Sequence, residues 1–560
     1  MDRPDRLIKK ALTGVKASLK TAGRCTRISV ICARYLRLPL AQNKIFILSH
    51  EGDELAGNVP RLMLSIRRLY GDRFTFTVGV KPGKRDRIRR ILDSFGFMDT
   101  ALVDWNTLPF YREMETAAYL LTDHTFPNSY IPREGQYYLN TWHGTPYKRM
   151  GYDTPACLLA SDNIQRNLLT ADLLLYPSPY CRDVMAGAYC LDGLYRGKMV
   201  LSGYPRNSIF FDSESRDRTR ERYGLTDKKV WAYLPTWREA MEGGIDHLKV
   251  LTDAFAALDS QMTEDELLYV KIHNYFLSAM KDLNLSWRHI RPWPEDVETY
   301  EFLNACDVLI TDYSSVFFDY ACTRRKIVRY TYDEETYLAS RGLYDLPAPL
   351  PFPCVKTPDE LLAELRAEKK YDDTAFLAAY CPFDGPEASD RLARCFIEGS
   401  VPAELSARPA APRPLILLYA GSIKDARILR SLGDLAARYS ENESRPLFYL
   451  GISRTAQISY SAALNDLPDS LRLLTLRGEP FCRTSDLAML AAGRPTERFL
   501  ATERLRALTG VHFDAVFDLT GGSAEARLFQ GIPDTRFIQV PQLTADAIES
   551  ALNKTLESLG

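Results

Sequence analysis

The chain has 560 residues, 46% of them hydrophobic and 26% charged, with a formal net charge of −1. That length exceeds one hydrophobic core and implies two or three domains; the balance excludes a disordered chain, and the lack of positive excess argues against a general nucleic-acid binder. The 11 cysteines form no Cys-x-x-Cys pair and no zinc-spaced cluster, so reduced thiols and no metal site are expected.

Charge is concentrated at the start. From Met1 to Lys44 there are eleven Lys/Arg against Asp2 and Asp5, with Leu7, Ala11, Leu12, Val15, Leu19 and Ala22 recurring at helical spacing. Such a basic amphipathic helix lies on an anionic membrane surface, or else packs as a solvated helix on the body. Residues 1–43 are expected to be a membrane-surface segment. The apolar stretch Ile28–Ala41 is broken by Arg34 and Arg37 and falls short of the ~20 residues of a span. No small-residue cleavage site follows it, so a peripheral protein of the cytoplasmic face is expected.

Short apolar runs then alternate with helical periodicity. Strands are predicted at Lys44–Ser49, Phe74–Val80, Thr100–Val103, Tyr119–Thr122, Tyr137–Thr141, Leu173–Tyr176, Met199–Leu201, Val230–Tyr233, Leu268–Ile272, Val308–Thr311 and Ile327–Tyr330. Helices are predicted at Pro60–Tyr70, Arg85–Phe97, His247–Leu258 and Val297–Ala305. Repeated βα units imply parallel sheets of Rossmann type, with ligands at the carboxyl ends of strands. Residues 401–414 (VPAELSARPAAPRP) read as a linker. A second strand series follows at Leu415–Tyr419, Pro446–Gly451, Leu471–Thr475, Ala515–Leu519 and Thr535–Val540, implying a separate α/β domain over 415–560.

Four segments after strands carry candidate chemistry. In YLNTWHGTPYK, His143 can take a proton from an alcohol near neutral pH, and Gly144 lets a ligand approach the backbone. In VLITDYSSVFF, Ser314 and Ser315 open a helix whose amides would hold an anion, with Asp319 one turn deeper on the same face. In YVKIHN, Lys271 and His273 share one strand face and suit a leaving phosphate. GYPRN and LPTWR offer Arg206 and Arg238 as bidentate clamps for phosphate oxygens, or as surface ion pairs.

The order TWHGTPYK, YPSPY, GYPRN, PTWR, KIH and TDYSS with a following Asp resembles the CDP-glycerol glycerophosphotransferases, the teichoic acid glycerol-phosphate polymerases and primases. The segments SHEGDELAGNVPRL, with Asn58, and LLTDHTFPNSYI are similar to that family too, and the likeness covers residues 43–396. It implies a GT-B fold of two facing Rossmann-like domains, 44–205 on the acceptor side and 206–400 binding the CDP-alcohol. It implies His143 as the base, with His273 balancing the leaving charge. Gly144, Thr145, Pro146, Tyr147, Arg206, Pro235, Thr236, Lys271, Ile272, Ser314, Ser315 and Asp319 would contact the donor. The reaction implied is transfer of glycerol phosphate to a lipid-linked or polymeric acceptor with release of CMP, without metal or other cofactor. Ribitol phosphate or another polyol phosphate remains open as the cargo. A nucleotide-sugar transferase of the same architecture remains open too, as does a non-catalytic polyanion-binding protein. Residues 415–560 lie outside the pattern and are expected to bind acceptor or partners, or to form half of a second transferase-like unit. Their glycine turns, Tyr419–Ser422 and Asp518–Ser523, are weak signals.

Overall fold

A computed structural model describes residues 32, 34–154, 161–236, 241–242, 245–272, 287–340, 342–407, 413–421, 426–439, 446–453, 464, 466–476, 497, 500–501, 504, 508, 511–523, 525–541 and 544–557. The basic segment 1–31, His273 and Arg238 lie outside them. Among the described residues no helix is long and apolar enough to cross a membrane.

The first sheet joins β1 (Ala41–Leu48), β2 (Thr75–Val80), β3 (Ala101–Asp104), β4 (Ala117–Thr122), β5 (Tyr137–Asn140), β6 (Leu173–Tyr176) and β7 (Lys198–Leu201) in the order 3-2-1-4-5-6-7. The second joins β8 (Lys229–Tyr233), β11 (Glu266–Val270), β12 (Ile290–Pro292), β13 (Val308–Thr311), β14 (Lys326–Tyr330) and β15 (Cys354–Val355) in the order 12-11-8-13-14-15. A two-stranded hairpin, β9 (Met241–Glu242) and β10 (Ile245–Asp246), stands apart. Every pairing in the two large sheets is parallel. Parallel strands are covered on both faces, which is why they read as unbroken apolar runs in the sequence.

Alternation along β1 shows the layers. Ile45 and Ile47 face a core with Leu62 and Ile66 of the helix Asn58–Tyr70, while Phe46 and Leu48 face the opposite one. The first core also takes Leu392 and Phe396 from the helix Ala388–Glu398, and the Ser65 hydroxyl donates to Ser389 at 2.8 Å. This late helix therefore packs on the first sheet, although its sequence position puts it in the second expected domain.

The third sheet joins β16 (Leu415–Gly421), β17 (Leu447–Ser453), β18 (Leu471–Leu476), β19 (Ala515–Asp518) and β20 (Arg536–Gln539), all parallel, in the order 18-17-16-19-20. One face carries Ile416, Leu418 and Phe517 against its own helices, including Ala426–Tyr439 and Ala545–Glu557. The other face, with Leu417, Tyr419 and Tyr449, shares a core with Tyr176, Leu191 and Leu194 of the first unit. Polar contacts seal this seam. The Gln165 amide donates to Leu473 O at 2.8 Å, and the Tyr152 and Thr475 hydroxyls meet at 2.8 Å. A Cβ on Gly193 would lie 2.8 Å from Leu415 and 2.9 Å from Leu447, so the backbone itself makes the contact.

The described part of the expected linker is not a free tether. Leu201 N donates to Leu405 O at 2.7 Å and Ala407 N to Met199 O at 3.0 Å, so residues 401–407 run along the β7 edge. Its Pro and Ala content hid this, because the pairing rests on backbone groups. Truncation after Ala407 would bare the apolar face over Tyr176 and Leu194. The truncated chain is expected to aggregate or self-associate on size-exclusion chromatography; a soluble monomer would show that the seam is dispensable.

Candidate active site at the facing strand ends

Strands β1, β4 and β5 are neighbours, and each ends in a polar turn: Ser49-His50, Asp123-His124 and Trp142-His143. Three of the chain's 7 histidines therefore meet at one sheet edge, the usual ligand position of an α/β fold. The His143 ring stacks on Trp142 at 4.4 Å and on His124 at 5.1 Å with planes 6° apart, and its centroid lies 6.4 Å from that of His50. Its Nδ1 lies 3.0 Å from Asp123 O. A carbonyl only accepts, so Nδ1 carries the hydrogen and Nε2 keeps the lone pair. Burial first, then the neighbouring His124, push the His143 pKa down to about 4. The ring is neutral at physiological pH and ready to accept a hydrogen.

Asp123 serves the opposite role with its side chain. Its carboxylate accepts from the Ser49 hydroxyl at 2.9 Å and from His50 N at 2.7 Å, and its Oδ2 lies 3.0 Å from His50 Nδ1. Burial alone would raise its pKa, but His50 outweighs that and holds it at about 2. Reciprocally, the Asp123 charge raises the His50 pKa against the effect of burial. His124 is paired with Glu51 at 3.2 Å, and this contact draws Glu51 down to about 2.

The second sheet supplies the opposing wall from the ends of β8, β11 and β13. Asp312 Oδ1 accepts from Tyr313 N at 2.5 Å, Ser314 N at 3.2 Å and Thr236 N at 2.8 Å, tying two strand ends together. The serines were expected to cap a helix. Instead Ser315 has helical angles and no side-chain cap bond, the helix spans only Val316–Tyr320, and Asp312 takes the local amides. A carboxylate two residues upstream satisfies those donors better than a hydroxyl, which leaves both serines partly exposed beside the cleft. Lys271 lies just past β11, where its Nζ donates to Thr299 Oγ1, and burial lowers its pKa. Ile272 follows it directly, Pro235 and Thr236 follow the neighbouring strand β8, and all three are half-buried.

The walls touch at several places. At Gly144 the approach leaves no room for a side chain: a Cβ there would lie 2.8 Å from Ser315 Oγ. Gly57 N donates to Glu298 Oε1 at 3.0 Å. Arg206 forms a bidentate pair with Asp319, Nη2 to Oδ2 at 2.9 Å and Nε to Oδ1 at 3.1 Å, while its Nη1 donates to His143 O at 2.8 Å. Tyr204 and Tyr300 sandwich the guanidinium at 4.5 and 4.9 Å, and Tyr300 donates to Asp319 at 3.1 Å. Asn58 completes the knot, donating to Trp142 O at 3.1 Å and accepting from Arg206 N at 3.3 Å. Arg206 and Asp319, expected to contact phosphate, are bound to each other here and are 4% and 2% exposed. Thr145 and Pro146 are buried, Pro146 O accepts from the Tyr180 hydroxyl at 2.8 Å, and Tyr147 packs edge-on to Phe317 in the second unit's core. The 144–147 segment is thus a bridge between units.

Gly144→Ala is expected to destabilise the protein by about 1–3 kcal/mol through overpacking. Adding Ser315→Ala should restore most of the loss in thermal melts. An unchanged melting temperature in the single variant would show that the gap is looser than drawn.

The sequence reading passed over His50, Asp123, His124, Glu298 and Tyr300 as chemistry. The first three stood in quoted segments directly after predicted strands, so the signal was there; what was missing was the strand order that gathers them.

Residues 30–398 match the family described as CDP-Glycerol:Poly(glycerophosphate) glycerophosphotransferase. The chain belongs to this family. It is a glycerophosphotransferase by descent, and the match stops before the third sheet. The teichoic acid poly(glycerol phosphate) polymerase of Bacillus spizizenii strain W23 is 27% identical over 398 residues, 67% of this chain and 98% of that one. A polymerase of the same name from Staphylococcus epidermidis is 28% identical over 340 residues, 56% of this glycerophosphotransferase but only 44% of the relative. Among solved structures, the wall teichoic acid polymerase TagF superposes with a TM-score of 0.56 at 23% identity, covering 70% of this chain and 97% of that chain. The first two Rossmann-like units accordingly form a GT-B fold, with the third sheet appended.

Proposed function

We propose that this glycerophosphotransferase moves glycerol phosphate from CDP-glycerol to a terminal hydroxyl of a teichoic-acid-like surface polymer, releasing CMP, with residues 1–43 resting on the cytoplasmic face of the membrane. The observation that carries the reading is the His143 ring, neutral and fixed in one tautomer by Asp123 O, beside the seam where Gly144 meets Ser315. The acceptor hydroxyl gives its proton to His143 Nε2 as its oxygen attacks the β-phosphorus. The bond to CMP breaks, and its electron pair leaves with the nucleotide. Donor contacts come from Gly144–Tyr147, Pro235, Thr236, Lys271, Ile272, Ser314 and Ser315, with His273 on the leaving phosphate. Arg206 and Asp319 support the site by fixing the His143 carbonyl and, on opening of the knot, reach the donor. Positioning and preorganised donors supply the rate enhancement in phosphoryl transfer. Residues 415–560 act as an acceptor or interaction unit held against the first sheet.

Purified protein incubated separately with CDP-glycerol, CDP-ribitol and UDP-sugars, with released CMP and UDP quantified, tests the assignment. CMP from CDP-glycerol is expected. CMP from CDP-ribitol alone would change the polyol, and UDP release would overturn the reaction class.

A further inference from the structure

Asp123 holds two imidazoles at once, His143 through its backbone carbonyl and His50 through its carboxylate. The two rings differ in what they can do with a proton. His143 is hydrogen-bonded to a carbonyl rather than a carboxylate, and burial makes it resist becoming a cation. His50 has a carboxylate partner, itself pinned by the Ser49 hydroxyl and by His50 N, so the geometry is that of an imidazole built to carry charge. The carboxylate is 2% exposed and the His50 side chain 39%, which buries the anion while leaving the imidazole side chain partly open to solvent. The backbone is held in the left-handed region to achieve this: φ is 44° at His50, 54° at Glu51 and 51° at Trp142, all non-glycine residues. Such strain gathered around one group of side chains points to function.

We propose that His50 and Asp123 are the proton sink of this site: the proton that His143 draws from the acceptor hydroxyl passes to His50, where Asp123 holds the charge. The inference rests on the reading of His143 as the base. The acceptor O–H bond breaks as its oxygen bonds to phosphorus, and the pair from the broken P–O bond leaves on CMP. The proton goes to His143 Nε2 and then across a bridging water to His50, since ring centroids 6.4 Å apart exceed direct contact. His143 returns to neutral within the turnover, and His50 releases its proton to solvent through its open side. His50 is a relay group acting through His143.

The consequence is a pH profile that His143 alone cannot produce. A rate waiting only on neutral His143 would persist down to about pH 4. A rate that also needs neutral His50 is lost as pH falls through the His50 value, which lies above the ordinary 6.5. The titratable and charged groups facing His50 are Asp123 after β4, the neutral His143 after β5, Glu54 just past its own turn and Arg206 after β7; Asp123 and Glu54 raise it, and Arg206 opposes them.

The experiment is kcat against pH for the full chain and for His50→Gln and Asp123→Asn, with CDP-glycerol binding measured alongside. The wild-type rate should fall below an inflection above pH 6.5. In Asp123→Asn the inflection should move to lower pH, because the carboxylate that raises His50 is gone. In His50→Gln it should leave the neutral range, with kcat down about 100-fold and donor affinity unchanged. A wild-type inflection near pH 4, or an Asp123→Asn profile that does not move, overturns the proposal. If CDP-glycerol is not turned over but CDP-ribitol or a UDP-sugar is, the donor assignment fails and the same profiles on that donor judge the relay. NMR titration of the histidine ring protons needs no donor: His50 titrating at or below 6.5 in the folded wild type overturns the relay in any case.

Discussion

His143→Asn is expected to lower kcat by about 1,000-fold while leaving CDP-glycerol affinity within about threefold. Asparagine can still donate to Asp123 O, and Arg206 binds the backbone carbonyl of residue 143, so both anchors of the loop survive the change. What disappears is the lone pair at Nε2 and the stacking on Trp142 and His124, the latter worth about 1 kcal/mol of stability. The loss should therefore appear mainly in kcat, with only that small cost in stability and none in donor binding, measured as single-turnover CMP release together with calorimetric titration of the donor. A folded variant with near wild-type turnover would remove His143 from the chemistry and leave the cleft without a base at that position.

Much of this architecture was legible as strands. Runs such as KIFIL and VLIT are apolar because parallel strands are covered on both faces, and their ends mark where ligands bind. The edge strands Ile290–Pro292 and Cys354–Val355 escaped notice, since three and two residues with a proline or a cysteine carry no periodicity. His143 stood out as a candidate base because glycine follows it at a strand end. The His50–Asp123 pair was not, because 73 positions separate the two residues and only the adjacency of β1 and β4 joins them. Arg206 was read as a free phosphate clamp for the same reason: no local pattern announces that Asp319, 113 positions away, takes its fork. The third sheet was readable as a fold, but its docking on the first unit was not, because Leu417 and Tyr449 look alike whether they face a helix or another domain.

Asp319→Ala is expected to be the most damaging single change to the stability of the cleft. Arg206 is 4% exposed, and without Asp319 its guanidinium would remain among Tyr204, Tyr300 and Asn58 with no counter-charge. Breaking a buried pair from one side costs about 3–5 kcal/mol, which corresponds to roughly 10 °C in melting temperature for a unit of this size. The reason is desolvation: the cation stays buried while its attraction is lost. Removing both charges is different, since well-packed apolar replacements cost little. Arg206→Met combined with Asp319→Leu should thus recover most of the melting temperature. It should not recover turnover, because the His143 carbonyl then loses its donor and the two walls lose a buried charged link. Thermal melts of Arg206→Met, Asp319→Leu and the double variant give the coupling directly. A double variant no more stable than Asp319→Ala would mean that the pair is held by the packing around it and does not itself join the walls.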